Sequence, residues 1–333
     1  MIRRRIAAIV NGFFSDSVRE IIGLLLIIFL IRTFGFGLYQ VPTGSMETTM
    51  LVGERFFADK LTILFTRPKH GNIISFNDPT YAYSDNLIVK LWQHYVWGPS
   101  NWTKRVIGSP GDIVKGVIEN NIPVVYLNGK KLDEAYINKY PLIGIWKVDP
   151  LKLHALLRNE VIQLIGNSTN QALLEKVASQ TMGKYYDLRS YDSSVPYNKQ
   201  PFYRMSIASL VKTNVYGEPV LGQNGNPLLC YPYTPSYQRQ NKITRRGNNY
   251  WSGSDEFYVE LGANEYWLMG DNRRGSYDSR FFGPVKGSLI HGKILYRIWS
   301  VDSTESWWIV DIIRHPTDFW KRVRWNRFFQ RVK

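Results

Sequence analysis

Residues 21–31, IIGLLLIIFLI, restrict the architecture of this chain more than any other stretch, because no charged or strongly polar side chain interrupts them. At a helical rise of about 1.5 Å per residue the run covers about 16 Å, and extension to Leu38 brings it to about 27 Å. That is close to the roughly 30 Å hydrocarbon core of a bilayer, provided Arg32 reaches its guanidinium to the far interface. Arg3, Arg4, Arg5 and Arg19 precede the run, which predicts a cytoplasmic N-terminus and places everything after residue 38 on the other side. A cleaved secretory signal shares the basic start and short apolar core. The aromatic flank after Ile31, with Arg32 in it, and the distance between basic start and apolar core favour a retained anchor. The expectation is a cytoplasmic segment over 1–17 and a transmembrane helix over 18–38.

The net charge of +15 calls for an anionic neighbour. No zinc spacing, RNA-binding aromatic signature or helix-turn-helix pattern supports nucleic acid, so the lipid bilayer is the expected partner. Cys230 is the single cysteine, which excludes an intramolecular disulfide framework and a multi-cysteine metal site. Neither a metal nor a cofactor is expected.

Beyond the anchor the texture changes. GERFFADKL, HGNIISFND, DNLIVKLWQHYVW, WTKRVIG, GDIVKGVI and IPVVYLNGKKL are apolar or alternating runs bounded by Gly, Pro, Asn or Asp, and read as strands. Asn128-Gly129 signals a type I′ hairpin. Short strands without long helices between them predict an antiparallel, mainly β domain over 39–134, resuming over 254–300. Residues 135–253 read as a mixed helix-and-loop insertion that splits it, with helices expected at LKLHALLRNEVIQLIG and ALLEKVASQTMG. In the tail, 301–333, the stretch from Arg314 to Lys333 sets Arg314, Lys321, Arg322, Arg324, Arg327, Arg331 and Lys333 against Asp318 and interleaves Phe319, Trp320, Trp325, Phe328 and Phe329. That mixture suits a segment lying in a membrane interface, and equally a solvated basic tail.

Three short segments carry candidate chemistry. Val41-Pro42-Thr43-Gly44-Ser45-Met46 presents a serine in a glycine-containing turn just past the apolar run. A serine hydroxyl needs a base, usually His backed by Asp, but none of the five histidines sits in a recognisable motif. A lysine can serve if burial lowers its pKa by about 2 units, roughly 3 kcal/mol of desolvation. Lys104, between Trp102 and Val106-Ile107, meets that demand. The third segment, MGDNRRGSYDSRFFG (269–283), mixes short polar side chains, glycines and arginines in the manner of a loop closed by carboxylate–guanidinium pairs.

Together these segments resemble type I signal peptidases, the membrane-bound Ser/Lys endopeptidases. PTGSM resembles the nucleophile motif P-S-G-S-M, TKRVIGSPGDIV the lysine motif K-R-x-x-G-x-P-G-D, and MGDNRRGSYDSRFFG the motif G-D-N-R-x-x-S-x-D-S-R-x-x-G. The resemblance covers roughly residues 18–134 and 255–300. It implies Ser45 as nucleophile and Lys104 as general base, with the Ser45 N–H and Thr43 hydroxyl as oxyanion hole. It further implies Ser276 as the group orienting the lysine, and Asp271, Arg273, Asp278 and Arg280 as loop-stabilising charges. Val41, Met46 and Met50 fall where the family lines shallow pockets for small substrate residues. The implied substrates are signal-peptide-bearing preproteins at the outer face of a bacterial cytoplasmic membrane, with contact to the secretion machinery. Thr43 replaces the common serine, and Thr48 stands where Pro is frequent, which loosens the turn after Ser45. The insertion matches no motif and is expected to leave the chemistry untouched. A non-catalytic anchored β module that binds an envelope partner is the alternative, and a self-cleaving repressor-type Ser/Lys protein, which would be soluble, a more distant one.

Overall fold

The computed structural model describes residues 16–146, 186–192, 194, 220–223, 243–301, 303 and 308–332. Cys230 and the two helices expected at 151–166 and 172–183 lie outside these residues.

Helix α1 (Asp16–Leu30) carries the apolar run, and one π-helical turn (Ile31–Gly35) ends it. Its apolar side chains are exposed around the whole circumference, among them Ile21, Leu24, Leu25, Ile27 and Ile28. Its 15 residues extend about 22 Å. Among the described residues no helix is long and apolar enough to cross a membrane. The expected span over 18–38 is corrected at its far end, because Phe36–Gln40 is already a strand, β1, paired with β2 (Arg55–Asp59).

The remainder is mainly antiparallel β, as expected. The larger sheet runs β1–β2–β15–β3–β4–β13–β14, where β3 is Ile73–Asn77, β4 Asn101–Gly108, β13 Glu265–Met269, β14 Val285–Lys286 and β15 Ile290–Trp299; β16 (Gln330–Arg331) also pairs with β15. The second sheet runs β10–β11–β12–β5–β6–β7, formed by Thr244–Arg246, Asn249–Trp251, Phe257–Glu260, Ile113–Glu119, Ile122–Leu127 and Lys130–Lys131. Asn128 and Gly129 both have positive φ, as a type I′ turn between β6 and β7 requires. The second sheet takes in the 244–251 hairpin, which the sequence texture assigns to the insertion.

The core follows strand alternation. On β4, Val106 packs with Ile74, Phe76, Leu268 and Val285, whereas Ile107 packs with Val114, Phe257, Trp267 and Met269. A third cluster gathers Val52, Phe56, Ala58, Ile73 and Ile294. Each large buried side chain in these clusters contributes roughly 1.5–3 kcal/mol.

Two local expectations fail. DNLIVKLWQHYVW is a helix, α3 (Leu87–Tyr95), following the short helix α2 (Leu61–Phe65). Asn86 caps α3 by accepting from the Ile88 and Val89 N–H groups, and this N-cap makes helix the better local solution. The basic tail is also folded onto the domain. Helix α4 (Trp308–Arg314) and the following turns bring Phe319 and Val323 into a cluster with Val301, and Arg322 pairs with the buried Asp311.

Candidate active site

The Ser45 turn owes its shape to backbone hydrogen bonding. Gly44–Met46 forms one 3₁₀ turn, in which the Glu47 N–H donates to Gly44 O at 3.1 Å and the Met50 N–H to Met46 O at 2.9 Å. Thr43 is exposed, extended, and makes no side-chain cap bond, so its hydroxyl is not spent on the turn. The Glu47–Thr48 peptide bond is cis. Beneath the turn, Val41, Met46 and Met50 are 8%, 2% and 1% exposed and belong to the core cluster around Phe56. These side chains form the floor of the turn, with Val41 keeping the largest exposure of the three.

Lys104 lies on β4 opposite Ile74 of β3. It is 6% exposed, and its Nζ donates to Ser45 Oγ at 2.8 Å. Burial pushes its pKa down to about 8; Asp278 and Asp271 pull up and Arg280 pulls down by smaller amounts. The amine is therefore largely neutral at mildly alkaline pH, as the general-base role suggested by the sequence requires.

The loop after β13 holds this arrangement through its charges. Asp271 is fully buried and takes a bidentate pair from Arg105, with Nε–Oδ1 at 2.8 Å and Nη2–Oδ2 at 2.7 Å. Thr49 Oγ1 donates to the same carboxylate at 2.5 Å. Asp278, equally buried, accepts from Arg280 Nε at 2.8 Å and from the Gly270 N–H at 3.0 Å. Burial raises the Asp278 pKa, but Arg280, the Gly270 N–H and Lys104 outweigh it and hold the carboxyl below its usual range. Arg280 also reaches Asp255 and Arg273 O, while Arg273 pairs with Glu134. All four charged positions named from the sequence are thus buried and paired.

Ser276 lies in the same loop. Its Oγ is buried, makes no hydrogen bond among the described residues, and is not bonded to Lys104. It sits instead over Gly270, where an added Cβ would lie 2.3 Å from Ser276 Oγ and 2.5 Å from Ser45 O. Only glycine allows so close an approach.

Sequence reasoning missed several supports. Asn272 ties the loop to the turn, its N–H donating to Ser45 O at 3.1 Å and its Nδ2 to Gly44 O at 3.0 Å. Arg105, next to Lys104, was legible as the second residue of the lysine segment; strand alternation sends it to the face opposite Lys104. Glu54 had no such signal. Fully buried, it accepts from Arg297 Nε at 2.9 Å, Arg327 Nε at 2.6 Å and Ser300 Oγ at 2.8 Å. Burial raises the Glu54 pKa, yet Arg327, Arg297 and the Leu51 N–H together hold it low. Arg297 also donates to Thr49 O at 2.7 Å, so β15 braces the turn from behind. The turn after Ser45 is accordingly held tighter than Thr48 alone suggests. Among the described residues no group of acidic, histidine or cysteine side chains could hold a metal ion.

The family model described as "Signal peptidase, peptidase S26" matches residues 15–183 and 210–299. The chain is 24% identical over 306 residues to the signal peptidase I of Buchnera aphidicola subsp. Acyrthosiphon pisum (strain APS), covering 89% of this chain and 78% of that protein. It is 38% identical over 111 residues to the probable signal peptidase I-2 of Synechocystis sp. (strain ATCC 27184 / PCC 6803 / Kazusa), covering 33% of this chain and 44% of that protein. A crystal structure of a signal peptidase I from Enterococcus faecalis V583 is 16% identical, covering 68% of this chain and 97% of the other, with a TM-score of 0.25. With more than half of its residues matched by the family model, this chain belongs to the signal peptidases of family S26, a family of serine endopeptidases.

Proposed function

We propose that this chain is a membrane-anchored signal peptidase that removes the signal peptides of exported preproteins with Ser45 as nucleophile and Lys104 as general base. The observation that carries the reading is the 2.8 Å hydrogen bond from a buried, readily neutralised lysine to a serine hydroxyl. Neutral Lys104 takes the Ser45 proton as Oγ attacks the scissile carbonyl. The tetrahedral oxyanion is held by the Ser45 N–H and Thr43 hydroxyl, each of which contributes about 10²–10³ in rate in comparable sites. The lysine returns the proton to the departing amine. An acyl-enzyme remains on the new C-terminus of the signal peptide, and water, deprotonated by the same lysine, releases it. Cleavage follows small residues at −1 and −3.

The apolar circumference of α1 supports an anchor, since a helix apolar all round needs lipid or protein about it. Anchoring raises the effective concentration of substrates that are themselves embedded in the bilayer. The catalytic domain then faces the outside of the bacterial cytoplasmic membrane, within reach of the secretion machinery.

Ser45→Ala and Lys104→Ala, assayed for preprotein cleavage, test the dyad. Both are expected to fall to background while a serine-reactive acylating inhibitor labels the parent at Ser45. Parent-like cleavage by either variant would sink the dyad, and a folded, unlabelled parent would favour a binding module.

A further inference from the structure

Among the described residues, the insertion meets the catalytic turn through a strand pair. Strands β8 (Leu142–Trp146) and β9 (Tyr186–Ser190) form a two-stranded antiparallel sheet, and β9 lies against the Ser45 turn. Glu47, two residues beyond Ser45, is 1% exposed, and β9 takes up both of its carboxylate oxygens. Arg189 Nε donates to Oε1 at 2.7 Å, and the Ser190 N–H donates to Oε2 at 2.8 Å. Leu188 O sits over Gly44 so closely that a Cβ there would lie 2.4 Å away. The same strand reaches the 270–275 loop: Asn138 Nδ2 donates to Ser190 Oγ at 2.6 Å, and the Asn138 N–H donates to Asp271 O at 3.0 Å.

We propose that β9 is a positioning brace for catalysis, in which the Glu47–Arg189 pair sets the Gly44–Met46 turn so that Ser45 Oγ stays in register with Lys104 and the oxyanion site. The inference rests on the Ser45/Lys104 reading and assigns the insertion a part in the chemistry. Two buried charges are a costly way to stabilise a fold, and similar apolar groups would often do as well. What they add here is direction, because a carboxylate held at both oxygens fixes the backbone that bears it. A displacement of about 1 Å at a reacting centre can cost about 10² in rate. Neither residue is among the charges acting on Lys104, which are Asp278, Arg280 and Asp271. The brace therefore acts on geometry and leaves the lysine's proton affinity alone.

The test uses the full-length chain in lipid or detergent, with Arg189→Met, Glu47→Gln, the double variant and Arg189→Lys. Expected in Arg189→Met and Glu47→Gln is a kcat lowered about 10- to 100-fold with KM within about two-fold. The rate of acylation by the serine-reactive inhibitor should fall by the same factor, and the pH midpoint of kcat/KM should not move. The double variant should fall no further than the worse single variant, and Arg189→Lys should recover part of the loss. A kcat within two-fold of the parent overturns the proposal, as does a raised KM with kcat kept. Loss of the near-UV circular dichroism signal in both single variants also overturns it, since the pair is then needed only to fold. Ser45→Ala run alongside separates the two readings. Parent-like cleavage by Ser45→Ala sinks the dyad and the brace with it; background cleavage by Ser45→Ala with a parent-like kcat in Arg189→Met and Glu47→Gln sinks the brace alone.

Discussion

Ser45 and Lys104 meet at 2.8 Å, yet the structure holds them in opposite ways. Lys104 is part of a regular central strand, and its surroundings are tuned by Asp271–Arg105 and Asp278–Arg280, pairs lying in or beside short motifs. Ser45 sits on an irregular turn fixed from outside by Glu54 with Arg297 and Arg327, and by Glu47 with Arg189. These partners lie up to 273 positions away. In the proposed dyad the lysine needs a constant dielectric environment, which a sheet core supplies. The serine needs a constant position at the edge of the domain, which regular structure does not supply and scattered ion pairs do.

The contrast can be broken from either side. Asp271→Asn leaves the buried Arg105 guanidinium without its bidentate acceptor and is expected to cost about 3–5 kcal/mol of stability. It also removes one of the charges raising the Lys104 pKa, so the pH–rate midpoint should shift downward. Glu54→Gln is expected to cost a comparable or somewhat smaller amount, about 3 kcal/mol, and to lower activity without moving that midpoint, because Glu54 does not act on Lys104. Denaturant unfolding and a pH–rate profile on both variants check the pair; equal midpoints would erase the distinction.

A smaller effect concerns His291, on β15 near Tyr39 and Ser75. Burial, then Lys60 and His94, lowers its pKa to about 3. An unfolded chain would bind a proton below about pH 6.5 that the folded chain refuses, so stability is lost as pH falls from about 6.5 toward 3. The slope from this residue approaches 1.4 kcal/mol per pH unit. His291→Asn should flatten the pH dependence of unfolding over that window, and an unchanged slope would assign it to other groups.

The antiparallel strands and the burial of Lys104 were legible because their signals are local. Alternation, the Asn128-Gly129 turn and the proximity of Trp102, Val106 and Ile107 to Lys104 all act within a few residues. The Asp278–Arg280 pair was legible for the same reason, since its members stand two positions apart, whereas Asp271 and Arg273 find their partners in Arg105 and Glu134 far along the chain. Glu54 and Glu47 were not legible. In sequence each is an ordinary acidic residue, and their arginines come from the last strands, the tail and the insertion. The tail misled for a related reason. Arg322 and Arg327 read as a basic surface, whereas they pair with the buried carboxylates Asp311 and Glu54. Residues 87–95 misled because an Asn cap outweighs β-like texture.

The pH dependence of kcat/KM for preprotein cleavage tests the central claim most directly. A lysine base with a pKa of about 8 predicts a rate that rises through a single ionisation centred near pH 8 and stays high above it. A profile already flat from pH 7 upward, with its midpoint near the ordinary histidine value of about 6.5, would contradict the Ser45/Lys104 account.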